Sequence, residues 1–167
     1  MTGGTGGIGL LTARWLSQIG VSSLALASRS GKLASDMDAE LQQLSESGAV
    51  VRVEVCDAAE RVDVSRLLAT VQSEMSPLRG VWHSAGTIAD ALLANQNAVS
   101  LVKVYGPKVH GASCVHLGCA PAPLQALTLF SSVAALIGGQ GGTLTEGGEA
   151  WSRLDRLTDR GAHLGVQ

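Results

Sequence analysis

The chain has 167 residues, 46% of them hydrophobic and 16% charged, with a formal net charge of −2 at pH 7. This is one domain's length with enough apolar material for a core, and neither the charge nor the 3% aromatic content suits a nucleic-acid partner. No apolar run reaches membrane-span length, no charged-then-apolar leader is present, and the three cysteines, Cys56, Cys114 and Cys119, lack metal-ligand spacing and read as reduced thiols of a cytoplasmic protein.

The chain opens on T-G-G-T-G-G-I-G at residues 2–9, in which Gly4, Gly6 and Gly9 fit G-x-G-x-x-G and Gly3, Gly7 and Gly9 fit T-G-x-x-x-G-x-G. Apolar residues at helical spacing follow (Ile8, Leu11, Trp15, Ile19), predicting a helix over about 8–18 that stops at Gly20. Residues 21–28 read as a buried strand, 32–47 as a helix with Leu33, Met37, Leu41 and Leu44 on one face, and Gly48 as its end. Alternation over 49–56 puts Val51, Val53 and Val55 on one side of a strand, with Asp57 at its C-terminal end. A third helix is expected over 58–75, ended by Ser76-Pro77, then a strand over 79–84. A long helical region over 90–117 is interrupted near Gly106-Pro107, and 124–131 read as another strand. Beyond it comes a glycine-rich tract, 138–148, and a last helix over 150–159. Strands alternating with helices imply an α/β fold, a Rossmann-like doubly wound parallel sheet with helices on both faces.

Two features bear on chemistry. A glycine loop opening a helix lets backbone N–H groups approach a pyrophosphate at the helix's positive end. About twenty residues on, where such a unit meets the ribose, the strand ends in Ser28-Arg29-Ser30. An acid there would select NAD; an arginine accommodates a 2′-phosphate.

Seven segments in one order resemble the ketoreductase domain of polyketide and fatty acid synthases, a short-chain dehydrogenase/reductase that uses NADPH. They are residues 2–9, Ser28-Arg29-Ser30-Gly31, Cys56-Asp57, His83-Ser84-Ala85-Gly86, residues 91–96, residues 107–112 and Phe130-Ser131-Ser132 with Val133-Ala134. The resemblance implies a cofactor site of Gly3, Gly4, Thr5, Gly6, Gly7, Ile8 and Gly9 around the pyrophosphate. Ser28, Arg29 and Ser30 would hold the 2′-phosphate, Asp57 and Ala58 the adenine, and Ala85 and Gly86 the adenosine ribose. It makes Lys108 and Ser132 catalytic, the lysine on the nicotinamide ribose and the serine on the substrate carbonyl. It also implies an acyl carrier protein bearing a phosphopantetheine-linked β-keto chain as partner, alongside other synthase domains. The family's strand order, 3-2-1-4-5-6-7, implies that the chain is a single partial domain over 1–167, truncated at both ends, lacking the first strand and the C-terminal strand and lid. The strands at 21–28 and 79–84 would then face each other across an empty slot, or close up to pair directly.

Plainer readings stand beside these. Asp57 also suits a helix N-cap, Ser132 a strand-end turn, Lys108 a solvated helix and Cys56 a buried position. His83 reads as packed or hydrogen-bonded rather than catalytic, and Tyr105 as an ordinary residue. One departure from the family matters more. Thirteen positions after the active serine the family places a tyrosine; counting from Ser132 gives Thr145, and the asparagine four further on is Glu149. Trp151 stands where the motif's tryptophan belongs, which supports the register. The stereochemical fingerprints read Ile88-Ala89-Asp90 and Ile137, both incomplete. Two functions follow: an NADPH-dependent β-ketoacyl reductase, or a degenerate, non-catalytic ketoreductase segment serving as a structural or docking module. A gene-model fragment would also account for the tract at 138–148.

Overall fold

The computed structural model describes residues 1–34, 37–89, 95 and 97–132. The glycine-rich tract, the helix expected over 150–159, and Ile137, Thr145, Glu149 and Trp151 lie outside these residues, as does most of 90–96. The elements run α1 (Gly7–Gln18), β1 (Ser23–Ser28), α2 (Asp38–Glu46), β2 (Val50–Val55), α3 (Arg61–Glu74), β3 (Gly80–His83), α4 (Ala98–Tyr105), a π-helical turn (Gly106–His110), α5 (Gly111–Cys119) and β4 (Ala126–Leu129).

The strands are parallel. β1 pairs with β2 from Ser23↔Val50 to Ser28↔Val55, and β3 with β4 from Gly80↔Ala126 to His83↔Leu129. Two layers of apolar side chains sandwich them. Leu10, Ala13 and Leu16 of α1 and Leu44 of α2 pack on Leu24 and Leu26 from one side. Val64 of α3 and Ala112, Val115 and Cys119 of α5 pack on Ala27, Val81, Leu127 and Leu129 from the other. The doubly wound arrangement expected from the alternation is therefore present.

β1 and β3 do not pair directly, and the slot expected between them is filled only at the C-terminal ends of the strands. Thr2 bridges Ala27 on one side and His83 on the other. Its N–H donates to Trp82 O at 3.0 Å, and its carbonyl accepts from Ser84 N at 2.9 Å. Met1 O accepts from Ala27 N at 2.8 Å. Two residues thus replace the ladder at the C-terminal ends of the strands. Toward their N-terminal ends a cleft of about 390 Å³ lies between the strands, lined by Met1, Ser23, Ala25, Gly80 and Trp82 among others. The order β2-β1-Thr2-β3-β4 reverses direction at Thr2, and such a reversal is where open α/β sheets build their binding crevice.

Several sequence expectations change. The apolar stripe Ile8, Leu11, Trp15 and Ile19 is not the core face of α1: these residues are 61%, 44%, 53% and 59% exposed, and Leu10, Ala13 and Leu16 are buried instead. Ala13 and Gly9 let the helix lie close on the sheet, which a stripe carrying tryptophan would prevent. Helix α2 begins at Asp38 rather than near residue 32. Val53 and Val55 are exposed because β2 is an edge of the described sheet, and only Val51 joins the core beneath α1 and α2. Asp57 is not a helix N-cap: that place belongs to Glu60.

A glycine loop and a lysine turn at the sheet's C-terminal edge

The glycine loop is fixed by close backbone contacts. Gly3 has φ +73°, and a Cβ there would fall 2.6 Å from both Ala85 N and Ser84 C. A Cβ on Gly4 would meet Leu26 Cα at 2.9 Å, and one on Gly9 would lie 2.3 Å from Gly3 O. These positions accept glycine only, because each neighbour is main chain and cannot yield. The loop is also hydrogen-bonded: Gly4 N donates to Ala27 O at 3.1 Å and Gly6 N to Gly3 O at 3.2 Å. Thr5 is buried, and its carbonyl accepts from Ala34 N at 3.1 Å, closing the segment after β1 over the loop.

Gly6 and Gly7 differ. A Cβ on Gly6 would come no nearer than 3.5 Å to Gly3 O, and one on Gly7 would sit 4.0 Å from Met37 Sδ. Gly6 is the N-cap of α1 and supplies no side-chain cap, and the first turn carries no acid. The amino end of α1 therefore presents backbone N–H groups, and a partial positive charge, at the mouth of the loop. Ile8 is exposed beside it.

The end of β1 supplies the next group. Ser28 Oγ accepts from Gly31 N and Ser30 Oγ from Lys32 N, both at 3.1 Å, which shapes a tight turn. Arg29 between them is exposed and makes no ion pair among the described residues. Asp57 follows β2. Its Oδ1 accepts from Ala59 N at 3.0 Å, and its own N–H donates to Asp63 Oδ2 at 2.9 Å, so the carboxylate is held in an Asx turn. Ala58 is buried against the place a Cβ of Gly111 would occupy. Cys56 is buried, and desolvation pushes its thiol up to about 11, which keeps it unreactive.

Lys108 stands on the π-helical turn. Pro107 cannot donate an N–H to the preceding turn, and the Gly111 N–H reaches back to Gly106 O, five residues away. The interruption expected at Gly106-Pro107 is this widening, a form often found at functional sites. It leaves Lys108 half-buried, with its Cε 3.6 Å from where a Cβ of Gly86 would stand. Ser132 lies three residues beyond the end of β4 and is exposed. The fold thus brings Gly3 to Ala85 and Lys108 to Gly86, and carries Ser132 to the same C-terminal edge.

His83 is the residue whose part in the site the sequence did not reveal. It is 2% exposed. Its Nδ1 lies 2.6 Å from Thr2 Oγ1 and its Nε2 2.9 Å from Pro107 O. Burial lowers the ring's pKa to about 4, against the opposing pull of backbone hydrogen bonds to Pro107 and Lys108.

A parallel sheet with helices on both faces and a glycine loop at its switch point defines a Rossmann-like nucleotide-binding fold. The chain belongs to the KR domain family, which matches residues 1–152. It is 36% identical over 151 residues to a phthioceranic/hydroxyphthioceranic acid synthase of Mycobacterium tuberculosis, covering 90% of this chain and 7% of that protein. It is 38% identical over 142 residues to a phenolphthiocerol synthesis polyketide synthase of Mycobacterium marinum, covering 84% of this chain and 7% of that one. Another relative in M. tuberculosis, 37% identical over 142 residues (84% of this chain, 9% of the relative), is named as inactive. Among solved structures, the ketoreductase from the first module of phoslactomycin biosynthesis in Streptomyces superposes with a TM-score of 0.86 at 29% identity, covering 99% of this chain and 39% of that one. An A1-type ketoreductase gives 0.83 at 35% identity, covering 99% of this chain and 35% of that one. The chain therefore spans under a tenth of these curated relatives and well under half of the solved ketoreductases. KR domains are short-chain dehydrogenase/reductases and use a nicotinamide dinucleotide.

Proposed function

We propose that this chain is the cofactor-binding part of an NADPH-dependent β-ketoacyl reductase of a cytoplasmic polyketide synthase. Its substrate is a β-keto thioester carried on the phosphopantetheine of an acyl carrier protein, and its product a β-hydroxy thioester. The observation that carries this reading is the glycine loop, closed to any side chain at Gly3, Gly4 and Gly9 and open at Gly6 and Gly7, beneath the uncapped amino end of α1. Glycine at the two open positions is not required by the chain's own described atoms. It is explained by a ligand's phosphates approaching the backbone there.

In this reading residues 3–9, Thr5 and Ile8 included, surround the pyrophosphate. Arg29, with Ser28 and Ser30, holds the 2′-phosphate by charge-assisted hydrogen bonds. Asp57 and Ala58 border the adenine, and Ala85 and Gly86 the adenosine ribose. The bound cofactor supplies the hydride. Lys108 donates to the nicotinamide ribose, and Ser132 donates a hydrogen bond to the ketone oxygen, stabilising the charge that develops there. Binding of NADPH and NADH to the purified chain tests this. NADPH is expected to bind more tightly, with Arg29→Ala removing the preference, since a lost charge-assisted bond of ~2 kcal/mol is worth more than tenfold. Equal affinities in the unmodified protein would overturn it.

One observation favours a second reading, a non-catalytic ketoreductase segment. Thr145 stands where the family's tyrosine belongs and Glu149 where its asparagine belongs. An aliphatic hydroxyl is far less acidic than a phenol, so it is a poor proton donor to the ketone oxygen. NADPH oxidation in the presence of a β-keto thioester separates the two. Loss of a proton donor costs ~10²–10⁴-fold, so on the second reading turnover stays near background and recovers in part in Thr145→Tyr/Glu149→Asn. A fast unmodified chain would exclude the second reading.

A further inference from the structure

His83 touches both parts of the site without facing its mouth. Through Nδ1 it meets Thr2, the residue before Gly3; through Nε2 it meets Pro107, the residue before Lys108. A carbonyl only accepts, so the proton sits on Nε2 and is donated to Pro107 O. In a neutral ring Nδ1 must then accept, and the Thr2 hydroxyl donates to it. Burial keeps the ring neutral over the physiological range.

The ring is packed against main chain as well as hydrogen-bonded. A Cβ on Gly111 would lie 3.0 Å from His83 Cε1 and 3.3 Å from Nε2, so the imidazole rests on the backbone where the π-helical turn meets α5. The Gly111 N–H reaches Gly106 O, past Pro107, so the Pro107 carbonyl is not used by the bond from Gly111 that a regular α-helix would form. Thr2 is held in turn by β1 and β3, and the His83 carbonyl accepts from Phe130 N at 3.0 Å, joining β4. From that frame the Lys108 stem extends toward Gly86.

We infer that His83 is a positioning residue, whose imidazole ties the turn carrying Lys108 to the first residue of the glycine loop and thereby sets the lysine against the nicotinamide half of the cofactor. This rests on the cofactor reading above. It goes beyond it by assigning to a buried group control over one half of the site. Two ligands separate the halves: NADPH, which has both, and adenosine 2′,5′-bisphosphate, which has only the half assigned to Arg29 and the loop.

His83→Phe is expected to weaken NADPH about tenfold, as Lys108 loses its set position and with it part of a charge-assisted hydrogen bond to the ribose, while leaving adenosine 2′,5′-bisphosphate binding unchanged. Lys108→Ala should show the same split, and adding His83→Phe to Lys108→Ala should cost no further NADPH affinity. His83→Gln should recover part of the loss, because its amide N–H can donate to Pro107 O. Equal weakening of both ligands, or additive losses in the double variant, would reduce His83 to general support of the fold and overturn the inference. If His83→Phe does not fold, Thr2→Val removes the hydroxyl at nearly constant shape and should give the same split. If the unmodified chain binds neither ligand, the cofactor reading falls on its own account. The tether is then decided by NMR: Nδ1 should be the unprotonated ring nitrogen, and Thr2→Val should shift the backbone amides of Lys108 to Gly111. A protonated Nδ1, or amides that do not move, would end it.

Discussion

The glycine loop and the Lys108 turn sit at the same edge of one sheet, yet they are held by different means. The loop is held by main chain. Gly3, Gly4 and Gly9 press against backbone atoms of residues 84–85, Leu26 and the loop itself, leaving no room for a methyl group. The Lys108 turn is held by a side chain: a π-helical widening that offers its Pro107 carbonyl to one buried imidazole. A site held by backbone sterics tolerates no substitution at the closed positions, here Gly3, Gly4 and Gly9, and ignores pH, since residues 2–9 contain no titratable side chain. A site held by an imidazole can be loosened by a proton.

The largest expected effect lies in the loop. Gly9→Ala would force a Cβ to within 2.3 Å of Gly3 O. A clash with main chain exceeds the usual range for overpacking, so a loss of at least ~3 kcal/mol is expected. Thermal or denaturant unfolding should show a large drop or no cooperative fold. A variant as stable as the parent would mean that the loop can open without cost.

Acid should act on the turn. His83 has a folded pKa of about 4 against an ordinary 6.5, so between those values the unfolded chain binds the proton and the folded chain does not. Stability therefore falls as pH drops through this window, at ~1.4 kcal/mol for each pH unit, which amounts to about 2 kcal/mol near pH 5. Carboxylates also titrate there, so the useful quantity is the difference between the parent and His83→Gln. The variant should have the shallower slope. Parallel slopes would show that the ring is not kept neutral.

Gly7→Ala gives the smallest effect on folding, and it sharpens the contrast within the loop. Its Cβ finds open space near Met37 Sδ at 4.0 Å. Alanine in place of a helical glycine is worth up to ~0.5–1 kcal/mol, so stability should hold or rise slightly. Under the proposed function NADPH binding should nevertheless fall, because the methyl group occupies space needed by phosphate. Unchanged binding would remove Gly7 from the site.

The sequence made the elements legible where spacing is strong, as in α1, α3 and the strands, and it located the break at Gly106-Pro107. It did not say which side of α1 is buried. Hydrophobic spacing marks Ile8, Leu11, Trp15 and Ile19, but packing distance selects the small-residue face with Gly9 and Ala13. It placed Val53 and Val55 on one side of β2 with Val51 and no more, because a period of two says which residues share a face, not whether that face is covered.

What the sequence determined by itself is the local chemistry: a glycine loop opening a helix, an arginine at a strand end, a proline that cannot continue an α-helical ladder. These depend on backbone conformation and on groups a few residues apart, so they can be read from order alone. Only the tertiary structure decided that Thr2 joins β1 to β3, that Gly3 lies against Ala85, and that His83 bridges Thr2 to Pro107. Those contacts link residues 24 to 82 positions apart, and their geometry is set by sheet order and by how closely helices approach the strands, which no local pattern encodes.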